Sequence, residues 1–160
     1  MKPFMNLDEL EFESSEQGIY GESWAVISDR IGAKKLGYSL TILPPGKRVC
    51  PYHNHRIDEE MFFILEGSGT LRFGDKTYPV RANDIIACPP GDRSVAHQIV
   101  NTGDVPMKFL ALSTREQHDI CEYPDANKVG VFCRAEGREK MRHFFKVDQA
   151  VDYFEGEQGA

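Results

Sequence analysis

The sequence contains no long hydrophobic run. Although 41% of its 160 residues are hydrophobic, no stretch approaches the ~18 consecutive apolar residues that a membrane-spanning helix needs. The opening residues, MKPFMNLDEL, also lack the apolar core of a secretory signal. We therefore expect a cytoplasmic protein with no membrane partner, and the length fits a single domain.

Positive charge is scarce as well. The chain has 19 Lys and Arg residues against 25 Asp and Glu residues, a formal net charge of -6. Binding along a nucleic-acid backbone requires clustered Lys and Arg. We therefore expect no nucleic-acid partner.

The four cysteines, at positions 50, 88, 121 and 133, include no Cys-x-x-Cys pair. This spacing predicts neither a zinc ribbon nor a disulfide framework. Cys50 lies three residues before His53, and Cys88 directly precedes Pro89. Each is either a small buried residue or a metal or redox group, and the sequence leaves their roles open.

What the sequence does contain is a pair of histidines with metal-ligand spacing. His53 and His55 alternate, so both side chains point the same way if the segment is extended. Glu60 begins the next apolar run, and His97 follows a Pro-Pro-Gly turn further along. Imidazole nitrogens with a carboxylate oxygen suit a divalent transition metal.

These two segments resemble the paired motifs of the cupin superfamily. His53, His55, Glu60 and Gly67 match the spacing of the first motif, and Pro89, Gly91, His97 and Asn101 match the second. Three departures affect loops. Gly46 precedes His53 by one residue too many, Asn83 replaces a glycine, and residues 92–96 place His97 three residues late.

The resemblance covers residues 36–115 and implies a site as well as a fold. It implies that His53, His55, Glu60 and His97 hold one divalent transition metal, namely Fe, Mn, Ni or Zn. The implied fold is all-β, a double-stranded β-helix or jelly-roll barrel with N- and C-terminal arms. We place the arms at residues 1–34 and 116–160 and the barrel core at residues 35–115.

Strand patterns also predict a sandwich or barrel. Short apolar runs at even spacing are separated by Gly, Pro, Asn and Asp turns. The predicted strands are 24–27, 36–43, 60–65, 70–73, 77–80, 85–88, 96–100, 107–113 and 129–134. We also predict a helical turn over 29–35 and either a helical turn or a strand over 138–145.

Strand phase predicts which residues accompany the metal ligands. Phe62 and Ile64 share a face with Glu60, and Ile99 shares one with His97. With Arg93 as a nearby loop cation, these form the predicted substrate pocket. Asp58 and Glu59 are candidate bases, although exposed loop acids are the more usual reading, and we expect His118 and His143 at the surface.

Two classes of function remain open at this point. A three-histidine, one-glutamate site leaves positions where a small oxygenated metabolite can bind, as in sugar-phosphate isomerase-like and dioxygenase-like cupins. The alternative is a non-catalytic module that binds or senses a small molecule. Because both faces of the strand over 60–65 are apolar, we also expect a homodimer.

Overall fold

The computed structural model describes residues 2–134 and 140–159. Within them the chain forms the strands β1 (Glu13–Gln17), β2 (Tyr20–Val26), β3 (Leu36–Leu43), β4 (Asn54–His55), β5 (Glu60–Glu66), β6 (Ser68–Phe73), β7 (Lys76–Arg81), β8 (Ile85–Cys88), β9 (His97–Val100), β10 (Met107–Thr114), β11 (His118–Tyr123), β12 (Lys128–Cys133) and β13 (Met141–Lys146). Short 3-10 turns lie at Leu7–Glu9, Ser28–Arg30, Arg93–Val95, Pro124–Ala126 and Val147–Gln149. No helix in this part of the chain is long and apolar enough to cross a membrane.

Antiparallel pairing arranges these strands in three sheets. Their orders are β1-β2-β3-β10-β5-β8, β13-β12-β11-β4 and β7-β6-β9. A bridge between His53 and His97 joins the second sheet to the third. The result is a jelly-roll barrel of the double-stranded β-helix type, which confirms the predicted fold class.

The hydrophobic core fills the barrel beyond the candidate site. Ile64 on β5 lies opposite Phe109 on β10, and Met107 on β10 lies opposite Leu43 on β3. All four side chains are at most 1% exposed, and each contributes about 1.5–3 kcal/mol on burial. Glu60 lies on the same face of β5 as Ile64, four residues earlier, so a packed core supports the site directly.

Two tight turns fix how the core strands follow one another. Gly67 links β5 to β6 with φ +81°, and a Cβ atom there would lie 2.9 Å from the Met107 Cα atom. Asn83, between β7 and β8, adopts φ 76°. Asparagine tolerates this left-handed conformation better than most residues. The replacement of the motif glycine by Asn83 therefore preserves the turn.

Most predicted strands agree with the structure to within two residues at each end. The strands over 36–43 and 85–88 match at both ends, whereas β2 begins four residues before the predicted strand. The predicted turn over 29–35 is a single 3-10 turn at Ser28–Arg30. Of the segment 138–145, residues 138–139 lie outside the described residues, and residues 141–145 belong to strand β13.

The terminal segments add strands to the barrel sheets. β2 pairs with β3, and β1 pairs with β2, which extends the six-stranded sheet. β11 pairs with β4, opposite His55, and β12 and β13 continue that sheet outward. Neither β1 nor β11 was predicted from the sequence, and β11 contributes directly to the surroundings of the candidate site.

Candidate metal centre

His53 and His97 lie directly opposite each other in the barrel wall. The His53 amide donates to the His97 carbonyl at 3.1 Å, and the His97 amide donates to the His53 carbonyl at 2.7 Å. Residues paired in this way project their side chains from the same face. Their ring centroids lie 4.8 Å apart. Strand pairing therefore joins the two sequence motifs at one point.

The extra residues before His97 form a 3-10 turn at Arg93–Val95. The Asp92 side chain caps this turn and accepts hydrogen bonds from the Ser94 amide at 2.9 Å and hydroxyl at 2.6 Å. The chain then enters β9 at His97. The insertion is thus accommodated in the loop, and His97 still reaches the strand position that the motif requires.

Glu60 completes a cluster of four side chains. Its Oε2 atom lies 3.0 Å from His97 Nε2, 3.2 Å from His55 Nε2 and 3.7 Å from His53 Nε2. His53 Nε2 and His55 Nε2 are 3.1 Å apart. Ligands bound at ~2.1 Å to one ion lie about 3 Å from one another. The structure therefore brings Glu60 close to all three histidines. His53, Glu60 and His97 form one group with the spacing of metal ligands, and His55 lies beside it, where it also groups with Asp119 and Cys121.

The other ring nitrogens indicate where the protons reside. His53 Nδ1 lies 2.9 Å from the Pro51 carbonyl, and His97 Nδ1 lies 3.2 Å from the Val95 carbonyl. His55 Nδ1 lies 2.5 Å from Asp119 Oδ2. Because these partners accept hydrogen bonds, the protons belong on Nδ1, and three Nε2 lone pairs point toward Glu60. A cation between them, either a proton or a metal ion, would satisfy these lone pairs.

The electrostatics of the cluster favour positive charge. Burial alone would raise the pKa of Glu60, but the three histidines hold it well below its usual range, so Glu60 is ionised. Burial opposes a charge on His55, yet Asp119, Cys121 and Glu60 together raise its pKa to about 12. Protons on both His53 and His55 would place like charges 3.1 Å apart. One divalent ion would supply the positive charge that this site favours without that repulsion. The donor set therefore fits a transition metal.

A second layer of side chains on β11 surrounds these candidate ligands. Asp119 is 1% exposed and Cys121 is 3% exposed. Cys121 Sγ lies 3.2 Å from His55 Nδ1, and the Tyr123 ring stacks at 6.0 Å on His53. None of these three was predicted to be functional. Their alternation along a strand is the one signal in the sequence that could have placed them on a common face.

The predicted pocket residues do not line one cavity. Ile64 and Ile99 are 0% and 4% exposed and belong to the hydrophobic core. Phe62 packs between that core and the site, with its ring 6.0 Å from His97 and 5.9 Å from Phe109. Arg93 is exposed on the 3-10 turn. Burial raises the pKa of Glu122, but Arg56, Asn54 and, to a smaller extent, Arg93 outweigh it and lower that pKa.

A different cleft reaches Glu60. It has a volume of about 250 Å³ and is lined by small and polar residues, among them Ser39, Ala111, Ser113 and Arg115. Ser113 lies opposite Glu60 where β10 pairs with β5. The prediction from strand phase gave apolar walls, whereas this cleft offers hydroxyl groups to a ligand. Strand phase identified the inward face but did not indicate depth along the barrel.

The two candidate bases, Asp58 and Glu59, differ in burial. We expected Asp58 and Glu59 to be exposed loop acids, but Asp58 is 2% exposed. It accepts hydrogen bonds from Arg134 at 2.6 Å and from the Glu116 amide at 3.0 Å. Its oxygens are therefore occupied by structural contacts. Glu59 is exposed, as expected.

The other cysteines and histidines differ in burial and in distance from the site. Cys88 pairs with Glu60 across β8 and is 1% exposed, and burial raises the pKa of its thiol. It is therefore a small buried residue that stays protonated. Cys50 Sγ lies 3.6 Å from His53 Nδ1. His118 and His143 are exposed, as predicted.

The comparison with protein families agrees with this architecture. The family model of the cupin domain matches residues 39–113, a range that contains the four clustered side chains. Residues 39–113 therefore form a cupin domain, which confirms the predicted resemblance. It is 36% identical over 70 residues to an oxalate-binding protein of Thermotoga maritima, a match covering 44% of this chain and 54% of that protein. The chain spans 60% and 54% of the length of two curated relatives that it matches.

Two solved structures resemble nearly the whole chain. One, of a cupin superfamily sugar phosphate isomerase from Silicibacter pomeroyi, has 27% identity and a TM-score of 0.79, covering 92% of this chain and 95% of that one. Another, of a proposed sugar phosphate isomerase from Acidithiobacillus ferrooxidans, has 22% identity and a TM-score of 0.83, covering 94% and 96%. The latter likeness establishes the fold alone.

Proposed function

We propose that the protein is a metal-dependent enzyme that isomerises a small oxygenated metabolite, with a sugar phosphate as the favoured class. In this proposal His53, His55, Glu60 and His97 hold one divalent transition metal, namely Fe, Mn, Ni or Zn. The observation that carries it is the convergence of three Nε2 lone pairs on an ionised, buried carboxylate. A packing cluster has no need of that arrangement.

The bound metal would act as a Lewis acid on substrate oxygens. The chain itself would position the substrate. Ser39 and Ser113 line the cleft beside Glu60 and supply hydroxyl groups that can hydrogen-bond to hydroxyl or carbonyl oxygens. The Nδ1 contacts of the three histidines hold the rings in place. The ligand geometry is therefore already formed before substrate binds.

Isomerisation is supported by how much of this chain resembles a sugar phosphate isomerase. The Silicibacter pomeroyi protein matches over 92% of this chain, including the segments outside the cupin motifs. A dioxygenase could use the same ligand set, but the solved structure that supports isomerisation matches 92% of this chain. We therefore rank isomerisation first and retain oxygen chemistry as an arm of the test.

The test begins with the metal content of the full chain purified without chelators. We expect about one divalent ion per chain in the wild type, and loss of that ion in His53→Ala and His97→Ala. His118→Ala, which removes an exposed imidazole, is the matched control and should retain it. Retention of metal by both site variants would refute the proposed centre.

Activity is then assayed with the metal-loaded protein. A panel of sugar phosphates is monitored for isomer interconversion, and a panel of enediols and catechols for oxygen uptake. Turnover confined to the first panel supports the proposal, and oxygen uptake would replace it with a dioxygenase.

A binding or sensing module is the second candidate. Within the described residues, the cleft has no carboxylate or imidazole besides Glu60 to act as a general acid or base. The relative from Thermotoga maritima is an oxalate-binding protein, a name that fits capture without turnover. Metal-dependent binding of a ligand with no conversion in either panel would favour this candidate.

A further inference from the structure

The sheet that contains β11, β12 and β13 carries an aromatic wall next to His53. Tyr123 stacks on the His53 ring with 6.0 Å between centroids and an interplanar angle of 21°. Phe144 lies 5.9 Å from Tyr123, and Phe132 lies 5.8 Å from Phe144. The wall therefore begins at a candidate metal ligand and continues outward along the sheet.

Gly130 allows these rings to lie across the sheet. It pairs with Cys121 on one side and with Phe144 on the other. A Cβ atom at this position would lie 3.0 Å from both the Phe132 and Phe144 rings. A larger residue would push the rings away, so glycine here lets them pack across the sheet.

Two cations lie against this wall. Lys128 Nζ is 4.6 Å from the Tyr123 ring centroid and 5.2 Å from that of Phe144, and the Arg142 guanidinium carbon is 5.0 Å from the Phe144 centroid. Both charges thus lie on one aromatic ring. An anion that binds beside this ring would be attracted by both charges.

Several arginines in the structure are paired with carboxylates, and within the described residues these two cations are not. Arg56, Arg72, Arg115 and Arg134 each form an ion pair with a carboxylate. Among residues 2–134 and 140–159, neither Lys128 nor Arg142 lies within ion-pair distance of one. Their charges are therefore available to an anion that binds beside the candidate site.

We propose that Lys128 and Arg142 form a subsite for the phosphate group of a small phosphorylated metabolite whose other oxygens reach the metal centre. This inference rests on the proposed function and names its substrate class. Contacts of 6.0 Å and 4.6 Å link the His53 ring to Tyr123 and Tyr123 to Lys128 Nζ, so His53 and Lys128 Nζ lie at most about 11 Å apart. A phosphorylated sugar can span that distance.

The chemistry of the pair favours a phosphate over a neutral group. A guanidinium group binds phosphate oxygens in a bidentate manner, and an ammonium group adds a compact charge. Together they match the charge of a phosphate monoester dianion. The Tyr123 and Phe144 rings provide an apolar surface for the carbon skeleton between the phosphate and the metal.

The experiment measures binding to the metal-loaded full chain by isothermal titration calorimetry. The probes are glucose 6-phosphate, glucose and glucuronate, which share a ring and differ in the group at carbon 6. We expect the wild type to bind glucose 6-phosphate more tightly than the other two. The variant Lys128→Gln/Arg142→Gln should lose about tenfold or more of that affinity.

The control variant is Lys76→Gln/Arg81→Gln, which removes two exposed cations from β7 and changes net charge equally. It should bind glucose 6-phosphate as the wild type does. Unchanged affinity in the Lys128/Arg142 variant, equal loss in the control, or preference for glucuronate in the wild type would each overturn the phosphate assignment.

Metal content, measured on every variant, separates this inference from the proposed function. The Lys128/Arg142 variant should retain the metal of the wild type, because neither residue is a ligand. A wild-type protein without metal that still binds glucose 6-phosphate through these cations would support the subsite and refute the metalloenzyme. A metal-loaded protein that binds glucose 6-phosphate no more tightly than glucose would refute the subsite alone.

Discussion

Asp119 Oδ2 lies 2.5 Å from Nδ1 of His55, although 64 residues separate them in sequence. Strand pairing brings them together, because Cys121 on β11 lies opposite His55 on β4. The buried carboxylate fixes the proton on Nδ1 and orients the ring, which leaves Nε2 free for a metal. It also adds negative charge that favours a cation, and its own pKa is lowered to about 2: burial opposes this shift, but His55 outweighs it.

We therefore predict that Asp119→Asn weakens metal binding by about 10- to 100-fold without loss of the fold. The amide keeps the shape of the side chain but removes its charge. Competition with a chromophoric chelator would measure the affinity. Asp125→Asn is the control, since it neutralises a carboxylate that pairs with Arg72 and not with a histidine. Equal affinity in wild type and Asp119→Asn would contradict this role.

Asp58 should instead matter for stability. It accepts hydrogen bonds from Thr114, from the Glu116 amide and from Arg134. Asp58→Ala leaves these donors without their acceptor, so we expect the free energy of unfolding to fall by about 2–4 kcal/mol. Urea unfolding checks this, with the exposed neighbour Glu59→Ala expected to change stability by at most about 0.5 kcal/mol. A smaller loss in Asp58→Ala than in Glu59→Ala would refute the assignment.

The sequence predicted much of the barrel because its strands alternate clearly and end at turn residues. The strand Leu36–Leu43 and the strand Ile85–Cys88 were placed at both ends. The cluster was predictable for a different reason. His53 and His55 share a strand face, and family spacing supplied Glu60 and His97 despite the insertion, because a surface loop absorbs extra residues without moving the strand that follows.

What the sequence did not show depends on tertiary pairing. β1 (Glu13–Gln17) is exposed at every residue, so it has no hydrophobic alternation to detect. The role of Asp119 depends on the register of β11 against β4, which no local pattern reveals. Strand phase placed Ile64 inward correctly but could not indicate that it lies in the core, since depth depends on how the facing sheets pack.

The predicted homodimer has a candidate surface. Ile120, Met141 and Phe145 lie on the outer side of the sheet formed by β11, β12 and β13, and they are 40%, 44% and 56% exposed. We expect light scattering to report twice the chain mass of 18.1 kDa. Phe145→Asp should shift the protein toward the monomer, because it places a charge in an apolar contact.

Tyr153→Asp is the control for that experiment, since Tyr153 is 87% exposed in the C-terminal segment. It should leave the mass unchanged. A wild-type protein that is monomeric at micromolar concentration would contradict the homodimer. A dimer insensitive to Phe145→Asp would place the interface on another face.

Glu22 on β2 gives the protein a distinct pH dependence. Burial raises the pKa of its carboxyl from 4.5 to about 7. Between these values the folded chain retains a proton that the unfolded chain has released, so stability falls as pH rises through this window. The penalty is complete above about pH 7 and absent below about pH 4.5. Because the side chain is partly solvated, we expect it to reach about 1–2 kcal/mol.

Glu22→Gln removes this ionisation. The variant should therefore be more stable than the wild type at pH 8 by about 1–2 kcal/mol and nearly equal to it at pH 5, where Glu22 is protonated in the folded state. Urea unfolding at both pH values measures the difference. Glu13→Gln on the exposed strand β1 is the control, and its effect should be small at either pH. If Glu22→Gln changes stability equally at pH 5 and pH 8, packing and not ionisation governs this position.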